Sequence, residues 1–374
     1  MNWFCCDGFM GVRKAHSNSD EHLNILSSIK NVKSFSYNEI KEATNNFNQS
    51  NMLGRGGFGT VYKGSLKDGT PFAAKVLSTE SKQGLKEFLT EIQTIANVRH
   101  ENLVKLIGCC IQGRNRILVY EYLENNSLDQ ALQGFKIGKV KLNWGVRSLI
   151  CAGTARGLAY LHEELEPHIV HRDIKASNIL LDKNFIPKIG DFGLAKLFPA
   201  YATHISTRVV GTTGYLAPEY AVHGQLTKRA DIYSFGVLLL EVISGRRISS
   251  FQFSSTDTFL VQWAWQIYEE DRLIDLVDPN LDGYPEEEVL RYIKVALFCT
   301  QAAAARRPSM PDVVEMLSKP MKLHDMELTP PHVVQDSINL SRGCGLSNSS
   351  NTKSNSLCPP TISASIMYSE VVPR

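Results

Sequence analysis

The sequence predicts an α+β fold in which a small strand-rich half leads into a larger, mainly helical half, and three observations predict it. Up to about residue 123, short segments of strand-favouring residues surround one long amphipathic helical pattern. From Asn143 onward, apolar residues recur at helical spacing instead. After about residue 319 the composition turns to Ser, Asn, Thr and Pro, which cannot bury enough apolar area to offset chain entropy.

The elements follow in order. Residues 1–33 are polar and show no periodicity. "FSYNEIKEATNNFN" (35–48) predicts a short helix capped by Ser36, with Ile40 and Ala43 facing inward. Val61, Tyr62 and Lys63, then "TPFAAKVL" (70–77), predict strands joined by a hairpin turn at Lys67-Asp68-Gly69. "SKQGLKEFLTEIQTIANVRH" (81–100) predicts a helix capped near Ser81, with Leu85, Phe88, Leu89, Ile92, Ile95 and Ala96 on one face. "NLVKLIGCCI" and "RILVYEYL" read as strands, and the join between the halves falls near Leu123–Asn126. "NWGVRSLICAGTARGLAYLHEE" then sets Val146, Leu149, Ile150, Leu158 and Leu161 at helical spacing. "YSFGVLLLEVISG" (233–245) is the most apolar stretch; Glu241 interrupts it and a glycine ends it, so it reads as a buried core helix. The expected organisation is an N-terminal segment 1–46, a folded unit 47–318 divided into 47–122 and 123–318, and a disordered Ser/Asn-rich tail 319–374.

Composition excludes some functions. The 374 residues suffice for a large core. Lys plus Arg number 40 and Asp plus Glu 38, a dispersed net charge of +2 that offers no basic face for nucleic acid. None of the eight cysteines forms a C-x-x-C pair or zinc spacing. Cys109, Cys151 and Cys299 sit in apolar contexts that suit reduced thiols. No apolar run approaches the roughly 18 residues of a spanning helix.

"LGRGGFGTVYKG" (53–64) contains Gly54-Arg55-Gly56-Gly57-Phe58-Gly59, a G-x-G-x-x-G loop able to hold phosphates in several settings. A dinucleotide-binding loop must open a helix, yet Thr60-Val61-Tyr62 favours a strand. A Walker A loop needs Gly-Lys-Ser/Thr at its end, which is absent here. A nucleotide-binding oxidoreductase is thereby set aside.

Four later stretches complete the loop's context: Lys75 at the end of "AAK", "IVHRDIKASNILL" (169–181) with Asp173 and Asn178, "DFG" (191–193) and "APE" (217–219). Each is weak alone, but five in order are specific, and together they resemble the protein kinase signature set over roughly residues 47–318. "FSYNEIKEATNNF", "LVYEYLENNSLDQAL", "GTTGYLAPEY" and "RRPSM" further resemble plant receptor-like kinases, related to the interleukin-receptor-associated kinases; the chain looks like a receptor-like cytoplasmic kinase. The resemblance implies the two-lobed kinase fold, with a small antiparallel-sheet N-lobe carrying one main helix and a mainly helical C-lobe. It implies ATP and Mg2+ as cofactors and transfer of the γ-phosphoryl group to Ser/Thr hydroxyls of protein substrates.

Site residues follow from the match. Leu53, Gly54, Arg55, Gly56, Gly57, Phe58, Gly59 and Val61 would form the lid over the nucleotide, the glycines offering backbone N–H groups unobstructed by Cβ atoms. Lys75 would meet the α- and β-phosphates, held by Glu91, with Glu87 one turn earlier as the fallback. By resemblance Ala73, Tyr120, Glu121 and Leu123 border adenine, the last two through backbone hydrogen bonds. Asp173 would take or orient the substrate hydroxyl's proton, and Lys175 would neutralise the transferring phosphoryl. Asn178 and Asp191 offer hard oxygens suited to magnesium. His171 and Asp231 would hold the catalytic loop, and Glu219 and Arg307 would form a buried ion pair. Asp173-Ile174-Lys175 resembles the Ser/Thr class rather than the Tyr class.

Thr203, Ser206, Thr207 and Thr212 are candidate phosphorylation positions, with Ser206 or Thr207 the regulatory one and Thr212 a structural partner of Asp173 and Lys175. Arg172 would couple the phosphorylated segment to the catalytic aspartate. Cys5 and Cys6, beside aromatic and basic residues, suggest S-acylation, since residue 2 is Asn and the myristoylation pattern is missing. That places the chain at the cytosolic face of the plasma membrane, with the cytoplasm as the alternative and an upstream receptor kinase as a partner; fractionation of a Cys5/Cys6→Ser form tests it. The rival to catalysis is a kinase-fold scaffold without turnover.

Overall fold

The computed structural model describes residues 32–56, 59–77, 82–136, 142–199, 201–248, 260–319 and 328. Cys5 and Cys6, the cap expected at Ser81, the loop tip Gly57-Phe58 and, except for Leu328, the Ser/Asn-rich tail beyond Lys319 lie outside the described residues.

The N-lobe is one six-stranded sheet of order β1-β5-β6-β4-β3-β2. Its strands are β1 (Lys33–Ser34), β2 (Met52–Gly56), β3 (Gly59–Ser65), β4 (Pro71–Leu77), β5 (Leu106–Gln112) and β6 (Asn115–Glu121). Five of them form antiparallel pairs as expected, while β1 adds to β5 in parallel. The β3–β4 turn closes where the sequence places it: Gly69 adopts φ +84 and the Thr70 N–H donates to Asp68 Oδ1 at 2.9 Å.

Helix α1 (Tyr37–Ala43) begins at Ser36, whose side chain and that of Glu39 cap each other's backbone reciprocally. It covers the sheet's outer face, where Ile40 packs with Phe35, Phe72, Ala74, Cys110, Ile117 and Val119. Among the described residues, packing against the sheet reaches back as far as Val32 and Phe35. The expected 81–100 helix is α2 (Lys82–Ile95), and Phe88, Ile92 and Ile95 are fully buried on the inner face. It ends early because a turn, Val98 N–H to Ile95 O, replaces the helical pattern. The first residues of "NLVKLIGCCI" are likewise not strand. Asn102 Nδ2 donates to Pro187 O and Val104 N–H to Ile189 O, so this stretch is tied to the C-lobe before β5 starts.

The C-lobe is helical: α3 (Leu128–Lys136), α4 (Trp144–Ala159), α5 (Pro218–His223), α6 (Lys228–Ser244), α7 (Leu260–Glu269), α8 (Glu286–Cys299) and α9 (Met310–Ser318). Asn143 caps α4, accepting from the Val146 N–H at 3.1 Å. Helix α6 is the apolar segment singled out in the sequence, and every residue from Ala230 to Ser244 is buried. It stops at Gly245, whose φ of +60 and nearness to Asp278 exclude a side chain. Short ladders carry the loops between helices: β7 (His168–Val170) with β10 (Lys196–Phe198), β8 (Ile179–Leu181) with β9 (Pro187–Ile189), and β11 (Ile205–Ser206) with β12 (Gln225–Leu226). Cys109, Cys151 and Cys299 are buried free thiols, as their apolar context predicts, and Cys110, next in sequence to Cys109, is buried as well.

Candidate active site

Strand register assembles the upper half of the site. Val61 pairs with Lys75, and Ala73 with Tyr120, across the β3, β4 and β6 ladder. Because side chains alternate, Ala73 and Lys75 share one face of β4 while Phe72 and Ala74 lie under α1 on the other. Gly59 must be glycine: its φ is +148 and a Cβ would meet Val76 O at 2.1 Å. At Gly54 and Gly56 a Cβ would meet nothing within 4 Å, so the backbone there borders open space.

Lys75 Nζ lies 3.0 Å from Glu91 Oε2 on α2 and 2.7 Å from Asp191 Oδ1. Of the two glutamates considered, the structure joins Glu91 to the lysine. The other oxygen of Glu91 accepts from the Tyr120 hydroxyl, an additional contact that the sequence did not reveal. Burial alone would lower the Lys75 pKa, but the Asp191 and Glu91 charges outweigh it and hold the ammonium more firmly protonated than usual. Burial pushes Asp191 up, yet the Lys75 charge and hydrogen bond prevail and leave its carboxyl below the ordinary range. Glu91, 1% exposed, is pushed up by burial, which Lys75 only partly offsets.

The lower half sits on the loop between β7 and β8. Asp231, on α6, accepts from the backbone N–H groups of His171 at 2.7 Å and Arg172 at 2.8 Å, and contacts His162 Nε2 at 2.9 Å. The loop backbone is thus fixed by a buried carboxylate, with Arg172 itself at φ +71. His171 spans to Gly190 O at 3.0 Å and packs edge-on against Phe192, locking the two catalytic segments together. Asp173 then sits between three partners: Thr212 Oγ1 donates to its Oδ1 at 2.6 Å, Lys175 Nζ lies 2.9 Å from its Oδ2, and Asn178 Nδ2 donates to the same Oδ2 at 3.0 Å. Lys175 also donates to Thr212 Oγ1 at 2.8 Å, so that hydroxyl is engaged on both sides.

The donor set suits magnesium. Asn178 turns its NH2 to Asp173, which directs its carbonyl oxygen away, and Asp191 uses only Oδ1 for Lys75. Two hard oxygens remain, as expected where phosphate oxygens complete the shell.

Glu219 and Arg307 form a bidentate pair at 2.7 and 2.8 Å, with the arginine fully buried. A second buried pair, Arg147 with Asp278 at 2.7 Å, ties α4 to the segment after α7 and had no signal in the sequence. Ser206 is exposed and Thr207 half-buried. Both are held by β12 and Gly224, through the β11 ladder and the Thr207 N–H to Gly224 O bond. Arg172, the residue expected to couple a phosphorylated segment to Asp173, donates to the Tyr220 hydroxyl, Leu194 O and Arg208 O.

A family model described as the protein kinase domain matches residues 47–316. Cold-responsive protein kinase 1 of Arabidopsis thaliana is 54% identical over 318 residues, covering 84% of this chain and 82% of the relative. Two probable LRR receptor-like serine/threonine-protein kinases from the same plant are 53% and 50% identical over 299 and 322 residues. These alignments cover 80% and 86% of this chain but only 29% and 31% of the receptors, so the chain spans less than a third of their length. By the extent of the family match and these identities, the chain belongs to the protein kinase family, within its plant receptor-like group.

Proposed function

We propose that the chain is a serine/threonine protein kinase that transfers the γ-phosphoryl group of Mg-ATP to hydroxyls of protein substrates in plant signalling. The observation that carries this reading is the simultaneous engagement of Lys75 with Glu91 and Asp191, which needs α2 and the 191–193 segment both in place. Gly54, Gly56 and Gly59 present backbone over the phosphates, and Lys75 adds a fixed positive charge there. Val61, Ala73, Tyr120, Glu121 and Leu123 border the base. Asn178 and Asp191 would hold magnesium, which supplies charge neutralisation on the phosphates. Asp173 accepts the proton of the incoming hydroxyl as its oxygen bonds to phosphorus and ADP departs. Lys175 offsets the charge on the phosphoryl oxygens. Thr212, bonded to both Asp173 and Lys175, orients that pair, so its hydroxyl is a structural partner rather than a target. Ser206 and Thr207 are the proposed modification positions of the activation segment. No feature of the site favours the scaffold reading, because every group that transfer requires among the described residues is in position.

The test is incubation with Mg-ATP beside an Asp173→Asn control, followed by mapping of new phosphates by mass spectrometry. Phosphate on Ser206 or Thr207 in wild type, with transfer reduced about a thousandfold in the control, is expected. Absence of transfer to any generic substrate, even after treatment with an active upstream kinase, would overturn it.

A further inference from the structure

Three consecutive residues other than glycine, Asn45, Asn46 and Phe47, take φ of +54, +57 and +53. Left-handed backbone of this kind occurs as single residues, mostly Asn or Asp, because Cβ crowds the following carbonyl. A bulky phenylalanine there is an outlier. The run is held by its neighbours. Thr44, fully buried, donates its hydroxyl to Ile40 O at 2.8 Å and accepts from the Phe47 N–H at 3.2 Å. The Asn45 N–H donates to Glu42 O at 3.0 Å, and the Asn46 N–H to Lys41 O at 2.7 Å. Asn51 Nδ2 donates to Thr44 O at 3.1 Å, which pins the turn to the residues just before β2.

What the turn achieves is the placement of one ring. Phe47 lies 5.7 Å from the Tyr37 ring of α1 and edge-on to the Tyr62 ring of β3 at 5.5 Å. Tyr62 pairs with Ala74 on one side and with Met52 on the other. Just past that second pair the β2–β3 register shifts: Gly54, not Leu53, is the partner of Val61. Leu53 and Gly54 therefore oppose Val61 together, in a bulge that bends the strand carrying the lid. Val61 pairs with Lys75, on the nucleotide face of the sheet, whereas Phe47 packs with Phe72 and Ala74 on the outer face. The ring thus bears on the lid from behind, at the residue beside the bulge.

We propose that Phe47 is a positioning residue for the nucleotide lid: through Tyr62 it fixes the β2–β3 bulge, and with it the placement of Leu53, Gly54 and Val61 that receives ATP. Strained backbone persists where the surroundings over-determine it, and here the strain is what delivers the ring to Tyr62. The inference rests on the kinase reading above and deepens it, since Phe47 lies outside the nucleotide site and acts on binding only through β2 and β3.

The experiment measures Kd for Mg-ADP by titration calorimetry, KM for ATP and kcat by initial rates, and Tm, for wild type and variants. Phe47→Ala is expected to raise Kd and KM about fivefold, the size of one edge-to-face ring contact, with kcat within about twofold of wild type. Phe47→Tyr keeps the ring edge and is expected to restore both constants. Phe35→Ala removes another ring of the same N-terminal segment, packed over β5 and three strands from β3, and is expected to lower Tm with Kd unchanged. Tyr62→Ala is expected to raise Kd as Phe47→Ala does, and the double variant to raise it no further. A Phe47→Ala form that loses Tm but keeps the wild-type Kd is a merely structural ring, and that result overturns the proposal. So does a Phe47→Tyr form that behaves like Phe47→Ala, a Phe35→Ala form with an equal rise in Kd, or a double variant whose effects multiply. If Phe47→Ala does not fold, Phe47→Leu replaces it and is read in the same way. Wild type that binds no Mg-ADP would defeat the kinase reading itself, and this inference with it.

Discussion

Lys75 has two anions to satisfy and Glu91 has two donors, and this asymmetry defines how the upper site responds to substitution. Glu91 gives one oxygen to Lys75 and the other to Tyr120, in a place where an unpaired charge is costly. Glu91→Gln keeps the shape but removes the charge, leaving Lys75 to Asp191 alone. We expect kcat/KM for ATP to fall about 10- to 100-fold. Tyr120→Phe deletes one hydrogen bond worth about 1 kcal/mol and should cost less than about tenfold. Initial-rate kinetics on the two variants separate the contributions; equal losses would mean that the hydroxyl, rather than the ion pair, holds the carboxylate. The ion pair was legible because Lys75, Glu91 and Asp191 carry charge in otherwise apolar surroundings, and a charge there demands a partner. The Tyr120 contact was not, since a tyrosine at the end of an apolar strand reads as core and its partner is 29 residues away. Arg147 and Asp278, 131 residues apart, illustrate the same limit: each looks like ordinary surface charge until the helices pack.

At the scale of elements, legibility followed the range of the signal. Helix α1 was readable because Ser36 and Glu39 form a local reciprocal cap. Strand β1 was not, because two polar residues have no periodicity and only their place beside β5 makes them a strand. The family match starts at residue 47, yet β1 and α1 close the outer face of the sheet behind Ala74, the residue next to Lys75. Gly108 is the seat for this strap: a Cβ would lie 2.3 Å from Lys33 O and 2.5 Å from the Phe35 ring. Phe35, 7% exposed, anchors it. Phe35→Ala should therefore destabilise the N-lobe by about 3 kcal/mol and lower Tm by several degrees, with little change in KM for ATP. Thermal denaturation checks this, and an unshifted Tm would show that the strap contributes no stability despite its burial.

For the molecule as a whole, buried carboxylates impose opposite pH dependences on stability. Burial pushes Asp231 up, but hydrogen bonding and charge from His162 and His171 prevail and hold it below its ordinary range. At Asp278 burial is likewise outweighed, by Arg147 and Asn280. A carboxylate whose pKa is lowered on folding adds stability above its unfolded value and loses it as pH falls through the folded one, so these two shape the acid limb. Glu241 has the reverse sign. Buried in α6 with the Tyr215 hydroxyl as donor, it is pushed from 4.5 to about 7 by burial. Folding favours its protonated form, so the fold is most stable below its ordinary pKa and weakens as pH rises through about 7. The cost approaches about 3 kcal/mol at most. Tm should therefore peak near about pH 5 and decline by several degrees toward pH 8. Glu241→Gln cannot ionise and still accepts from Tyr215, so it should lessen the decline above pH 5, to which Glu91 also contributes, while leaving the acid limb in place. Denaturation of both proteins across pH 4–8 decides the matter. A wild-type Tm that holds level from pH 5 to 8, or a Glu241→Gln form with the same decline, would show that Glu241 enters the fold already ionised.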